Sequence, residues 1–218
     1  MNIILHDEEL TLLPQKAIYI KKEKALLIAD IHLGKGGHFR SAGIAVPSYL
    51  AFADLEILDE LLNDPRLDVK RLILLGDLFH AEKNIDWIIF EKWREARSKI
   101  QIQLIKGNHD ILGDANYRNI DIEVCETALL NNFLLVHNYN DEENIDGYYK
   151  MCGHVHPAVR IHGKARQSLT LPCFYFGESY GILPAFGRFT GKYIISPNEN
   201  DCVFVVAGSE DEKRVIKI

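Results

Sequence analysis

Apolar positions along this chain come in short runs separated by polar turns. Asn2–Leu5, Leu10–Leu13 and Ala17–Ile20 predict three short strands, and Ala25–Ala29 predicts a buried strand that delivers Asp30. A Gly-rich loop (Gly34, Gly36, Gly37) follows, and Pro47 suits the first turn of a helix, where its missing N–H is not needed. Ala51, Leu55, Leu58 and Leu62 mark one face of that helix, and Asn63-Asp64-Pro65 ends it. Leu72–Leu75 predicts the next buried strand. Asp86–Lys99 predicts a helix, with Trp87, Phe90, Trp93 and Arg94 at helical spacing, and Gln101–Ile105 a further strand. Strand and helix alternate in this half, which implies parallel pairing with helices outside the sheet. From residue 120 the rhythm changes: Phe133–Val136, Tyr148–Cys152, Val159–Ile161, Thr170–Phe176, Cys202–Ala207 and Arg214–Ile218 predict strands with little helix between them. No repeat, linker or domain boundary interrupts the pattern. The expected fold class is α/β, a four-layer α/β/β/α sandwich of two mixed sheets flanked by helices, in one domain spanning 1–218.

Composition narrows the class. A hydrophobic content of 47% and a charged content of 26% are those of an ordinary globular chain long enough to bury a core. A formal charge of -6 argues against a surface coated for nonspecific nucleic-acid binding, although a local basic patch remains compatible with it. Cys125, Cys152, Cys173 and Cys202 form no Cys-x-x-Cys pair; Cys152, Cys173 and Cys202 lie in apolar surroundings, so buried free thiols and a reducing cytoplasm are expected. Acidic residues interrupt Met1–Leu13, so no signal peptide is expected, and no apolar run is long enough to span a bilayer.

The chemistry sits where the runs end. Asp30-Ile31-His32, Gly76-Asp77, Gly107-Asn108-His109-Asp110, His137 and Gly153-His154-Val155-His156 follow one another in order, each closing a strand-like run. Such placement predicts that the polar side chains gather along one edge of a sheet. Carboxylates, imidazoles and one amide, with no thiolate, suit two adjacent hard or borderline cations such as manganese, iron or zinc. The set predicts a two-metal hydrolase.

This series of signatures resembles that of the calcineurin-like metallophosphoesterases. The resemblance implies that Asp30, His32, Asp77 and His156 hold one metal and that Asp77, Asn108, His137 and His154 hold the other, with Asp77 bridging. It implies two divalent ions, Mn2+ first with Fe or Zn as alternatives, ~4 Å apart, and attack on phosphorus by a metal-bridging hydroxide. His109 is then left to protonate the leaving oxygen, worth ~10²–10⁴-fold. Asp110 either steadies the His109 ring from its other nitrogen or caps the next segment. His80, one loop step beyond Asp77, either touches substrate or is a solvated loop residue. His137 is followed by Asn138 where many relatives have glycine.

Basic residues follow two of the signatures: Lys35 and Arg40 after the first, and Arg160, Lys164 and Arg166 after the last, with Arg188 and Lys192 further on. Arg40, Arg160, Lys164, Arg166 and His80 are the expected substrate contacts; a solvated surface explains the basic ones equally well. Gly163–Ser168, Leu171–Phe174 and Leu183–Gly187 resemble a narrower bacterial group, the ligase-associated DNA damage response endonucleases (PdeM), related to SbcD-type nucleases. That resemblance implies DNA as substrate and a DNA ligase, a helicase and an exonuclease as partners. No membrane is expected, and because 218 residues leave little room for a capping domain, a homodimer is one way to complete the site. The expected function is a DNA phosphodiesterase or endonuclease of DNA repair. The alternatives are hydrolysis of small phosphodiesters or phosphomonoesters, and a non-catalytic metal-bearing scaffold.

Overall fold

A computed structural model describes residues 1–35, 50–80, 83–141, 145–163, 167–188, 190–209 and 212–218. Pro47, His38 and Arg40, as well as Lys164 and Arg166, lie outside the described residues. The apolar runs of the first half become β1 (Asn2–Leu5), β2 (Glu8–Leu13), β3 (Ala17–Ile20), β4 (Ala25–Ile28), β5 (Arg71–Leu75) and β6 (Gln101–Ile105), and together with β7 (Ile122–Cys125), a strand the sequence pattern did not predict, they pair in that order in a seven-stranded sheet. β1 to β4 are antiparallel neighbours, and β4, β5, β6 and β7 run parallel. The crossovers carry α1 (Leu50–Leu62), α2 (Ile85–Glu95) and α3 (Asp114–Arg118).

The second half forms β8 (Ala128–Leu130), β9 (Phe133–Leu135), β10 (Tyr149–Cys152), β11 (Pro157–His162), β12 (Ser168–Phe176), β13 (Tyr180–Ile182), β14 (Tyr193–Ile194), β15 (Cys202–Ala207) and β16 (Arg214–Lys217). They make a nine-stranded mixed sheet, ordered β14-β11-β12-β13-β10-β9-β8, with β15 on β12 and β16 on β15. Both sheets contain parallel and antiparallel pairs, as expected.

Strand alternation explains how the layers stack. Leu26, Ile28, Leu72, Leu74, Ile102 and Leu104 face one way and pack with Leu55, Leu58, Leu61, Trp87, Phe90 and Trp93 of the helices. Ala25, Leu27, Ile73, Leu75 and Ile105 face the other way and meet Phe133, Leu135, Tyr149, Met151, Phe174 and Phe204 of the second sheet. The described helices thus cover the outer face of the first sheet, and the two sheets share the core between them.

α2 begins at Asn84, whose Oδ1 accepts from the Asp86 and Trp87 amides at 2.9 and 3.3 Å. It ends at Glu95, earlier than its sequence spacing predicts. The reason is Arg94, a buried residue whose guanidinium donates to the Arg97, Ile120 and Asp121 carbonyls at 2.7, 3.0 and 3.0 Å, drawing 96–100 into turns. All four cysteines are free; Cys152 and Cys173 are buried, but Cys202 is only half-buried at the start of β15. Among the described residues no helix is long and apolar enough to cross a membrane.

Candidate active site

The parallel pairing of β4, β5 and β6 releases Asp30, Asp77 and Asn108 from the same end of the first sheet. β9 and β10 are also parallel, and release His137 and His154 from an end of the second. The signatures therefore gather from two sheets, not along one edge as the sequence predicts. The second sheet's apolar inner face brings its strand ends against those of the first.

Five of these residues leave their strands through left-handed backbone: Asp30 (φ 52°), His32 (52°), Asp77 (51°), His154 (66°) and His156 (55°). This region is uncommon for residues with a side chain and costs about 1–3 kcal/mol each when strained. Loop-to-loop bonds hold it in place: Asp30 N donates to Gly76 O at 3.2 Å, His32 N to Asp77 O at 2.9 Å, and Gly153 N to His137 O at 3.1 Å. Gly76 (φ 80°) also lies so close to the His137 ring that a Cβ there would occupy the ring's own space.

The side chains form two sets, Asp30, His32 and His156 in one and Asp77, His137 and His154 in the other, each with its ligand atoms within 4.8 Å of one another. Asp77 faces both: Oδ2 lies 3.5 Å from His32 Nε2, and Oδ1 lies 3.5 Å from His137 Nε2. His137 Nδ1 lies 3.0 Å from the Leu75 carbonyl, which only accepts, so Nδ1 carries the proton and Nε2 presents a lone pair. That lone pair faces Asn108 Oδ1 at 3.0 Å and His154 Nδ1 at 3.1 Å. The Asn108 oxygen and the His137 lone pair are facing acceptors, which repel each other until a cation lies between them, so the residues fit a bound metal. Asp30 is 0% exposed, and both its oxygens accept from the His154 amide, at 3.1 and 2.9 Å.

Electrostatics agree with ligation. Burial, followed by the neighbouring His156, pushes His32 down to about 2, and burial lowers His154, so both rings are held neutral, the form that binds metals. Burial pushes the Asp30 carboxyl above its ordinary range, against the opposing pull of His156 and His137, and a cation would offset that cost.

Around the sets, His109 donates its amide to Asp77 Oδ1 at 2.9 Å, and its ring lies 4.1 Å from that of His80 and 5.5 Å from that of His32, centroid to centroid. The fold thus brings His80 into the site. Asp110 has a different place from the one expected beside the His109 ring. Its Oδ1 accepts from the Leu78 and Phe79 amides at 2.9 and 3.0 Å and from the Tyr117 hydroxyl at 3.2 Å, and its Oδ2 accepts from the Gly107 amide at 2.9 Å. Asp110 is a buried tie between the loops after β5 and β6, because backbone donors converge on it from both. Arg160 lies exposed on β11, paired with Thr170.

Two residues escaped the sequence reading. Lys16, in the turn between β2 and β3, donates Nζ to the Ala185 and Phe186 carbonyls at 2.6 and 2.5 Å, and burial pushes its ammonium down to about 8. Asp54 is buried on α1 and accepts from the Arg188 amide at 3.2 Å. Asp54 had a signal, since it shares a helical face with the buried Leu58 and Leu61. Lys16 had none.

Two sheets meeting face to face, with carboxylates, imidazoles and an amide converging from their strand ends, define a metallohydrolase. The family model for calcineurin-like phosphoesterases matches residues 24–203, and the chain belongs to that family. It is a metal-dependent phosphoester hydrolase. Among solved structures, the Pseudomonas putida nuclease MPE is 33% identical, with 94% of this chain and 96% of that one covered and a TM-score of 0.78. A protein of unknown function from Aquifex aeolicus, AQ665, is 17% identical over 61% of this chain and 78% of that one, at a TM-score of 0.41. No curated protein matches the chain.

Proposed function

We propose that this hydrolase is a manganese-dependent DNA phosphodiesterase, an endonuclease or nuclease acting in DNA repair. The observation that carries the reading is a pair of clefts, one beside each set of ligand residues. One cleft of about 570 Å³ runs from Asn108, His137 and His154 past Lys106 and Asn138. A second, of about 80 Å³, lies beyond His156. A polymer can lie across such a site with chain on either side of the scissile bond. The likeness to a protein described as a nuclease, extending over almost the whole of both chains, supports the same reading.

Asp30, His32, Asp77 and His156 would hold one ion and Asp77, Asn108, His137 and His154 the other, through oxygen and nitrogen donors that suit Mn2+. Bound divalent ions would supply Lewis acidity and an activated water. The chain's own residues do the rest. The His109 amide fixes the Asp77 carboxylate, and its ring is placed to give a proton to the departing oxygen. His80, against that ring, orients it or meets the substrate. Location in the cytoplasm and association with a DNA ligase, a helicase and an exonuclease belong to the same proposal. The partners rest on the resemblance of the segments within 163–187, and the location rests on the free cysteines.

Purified protein with Mn2+ should be offered plasmid, oligonucleotides and an aryl phosphodiester side by side; cleavage of the nucleic acids is the expected result. Glu126, Thr127 and Asp141 in the wider cleft favour a second reading, a small phosphodiester, because two carboxylates there oppose a polyanion. Turnover of the aryl ester alone would select it. Full metal occupancy without any turnover would leave a metal-bearing scaffold.

A further inference from the structure

The inference here takes its substrate class from the nuclease reading but concerns other side chains. Lys16 is half-buried and Asp54 is buried, and both act on one surface turn. Lys16 ties down the carbonyls of Ala185 and Phe186, while Asp54 holds the Arg188 amide and lies 3.8 Å from Arg188 Nε through Oδ1. The same turn is bonded to the metal-ligand loop, with Phe186 N donating to Ala29 O at 2.7 Å and Gly187 N to Asp30 O at 3.1 Å. Burying charge is costly unless it is paired. Here the two side chains together hold the backbone that carries Arg188.

Those two side chains line the 80 Å³ cleft beside His156. Lys192 Nζ donates to Thr170 O at 3.2 Å, one of an ammonium's three donors, and Thr170 is the cross-strand partner of Arg160. Of the described residues lining this cleft, Lys16, Arg188 and Lys192 are basic and none is acidic. The wider cleft is different: Lys106 there is bound to Asp114 at 2.9 Å and accompanied by Glu126 and Asp141. Among the described lining residues, positive charge is thus concentrated in the cleft beside His156.

We propose that the turn bearing Arg188 and Lys192 is a phosphate subsite, holding the backbone phosphate that neighbours the scissile one on the His156 side. It sets which way a strand lies across the metals, since the opposite cleft does not offer the same charge.

The test has two arms, run on wild type, Arg188→Ala, Lys192→Ala and Lys192→Arg. Arg188→Ala keeps the main-chain bond to Asp54, and Lys192 is exposed, so the variants should retain wild-type metal content. In the first arm, thymidylyl-thymidine is compared with and without a terminal phosphate. A terminal phosphate at one end should lower KM about tenfold in wild type, the scale of a charge-assisted contact, and this advantage should shrink to about twofold in either alanine variant. In the second, a fluorescein-labelled oligothymidylate is titrated against metal-free protein by anisotropy. The slope of log affinity against log salt should fall by about 0.7 in Lys192→Ala, one single-strand phosphate contact, and return in Lys192→Arg. If no dinucleotide is cleaved but the slope changes as stated, the nuclease reading fails and the subsite stands. An unchanged slope in both alanine variants overturns the subsite, whatever the cleavage result.

Discussion

His109 contacts the site through its amide and its ring, and truncation separates the two. Its amide bond to Asp77 Oδ1 belongs to the backbone and survives His109→Ala, whereas the ring packed against His80 is lost. The variant should therefore bind metal as wild type does and lose ~10²-fold or more in kcat on DNA, the scale of general-acid catalysis. On bis-nitrophenyl phosphate, whose leaving group needs no proton, the loss should be clearly smaller. Equal losses on both esters would assign the ring to charge stabilisation, and a missing metal would make it a support for a ligand. Asp110 makes the opposite case: it accepts from three backbone amides and one hydroxyl, all inside the protein. Asp110→Ala should lower stability by roughly 3 kcal/mol or more, because buried donors are left without acceptors, while Tyr117→Phe should cost only about 1 kcal/mol. Urea unfolding measures both. A mild Asp110→Ala with unaltered stability would mean that water replaces the carboxylate.

At the scale of elements, the site is a product of where strands stop. β4 and β5 were legible because each is a nearly continuous apolar run and β6 because polar and apolar residues alternate at its start, and the ligands at their ends were legible because their residue types stand in a fixed order. β8, β13 and β14 were not, being two or three residues long and defined by neighbours far away in sequence, and the five-residue α3 was missed for the same reason. The Lys16 tie to Ala185 and Phe186 was equally hidden, since nothing local to either segment announces it. Nor did the apolar pattern predict that His137 would press against Gly76, joining the end of β9 to that of β5. That junction gives a test of how rigidly the strand ends are set. Gly76→Ala adds a Cβ in the space of the His137 ring and strains a φ of 80°. Metal analysis should find the stoichiometry reduced from two ions per chain to one, with the set containing Asp30, His32 and His156 retained. A variant that still binds two ions tightly would show that His137 can move without cost.

Across the whole molecule, the two ligand sets draw residues from both sheets, so bound ions would cross-link the layers as well as serve chemistry. Binding of this kind stabilises the fold by mass action, about 2.7 kcal/mol for one site at a hundred times its Kd. The metal-free protein, in turn, carries the cost of its ligands. Asp30 is 0% exposed and Asp77 is 2% exposed, and neither has a lysine or arginine among its hydrogen-bond or ion-pair partners within the described residues. Burial therefore destabilises the ionised Asp30 carboxylate, and the apo fold is held together despite its active site. Asp30→Asn removes that charge while its remaining oxygen can still accept from the His154 amide. The variant should melt higher than wild type in chelator. In saturating Mn2+ the order should reverse, because wild type gains two ions and the variant loses most of its affinity at the site it shares with His32 and His156. Thermal unfolding of both proteins under both conditions decides it. A variant that melts lower than wild type in chelator, and gains as much from Mn2+, would show that Asp30 is a structural acceptor whose charge the fold tolerates without a metal.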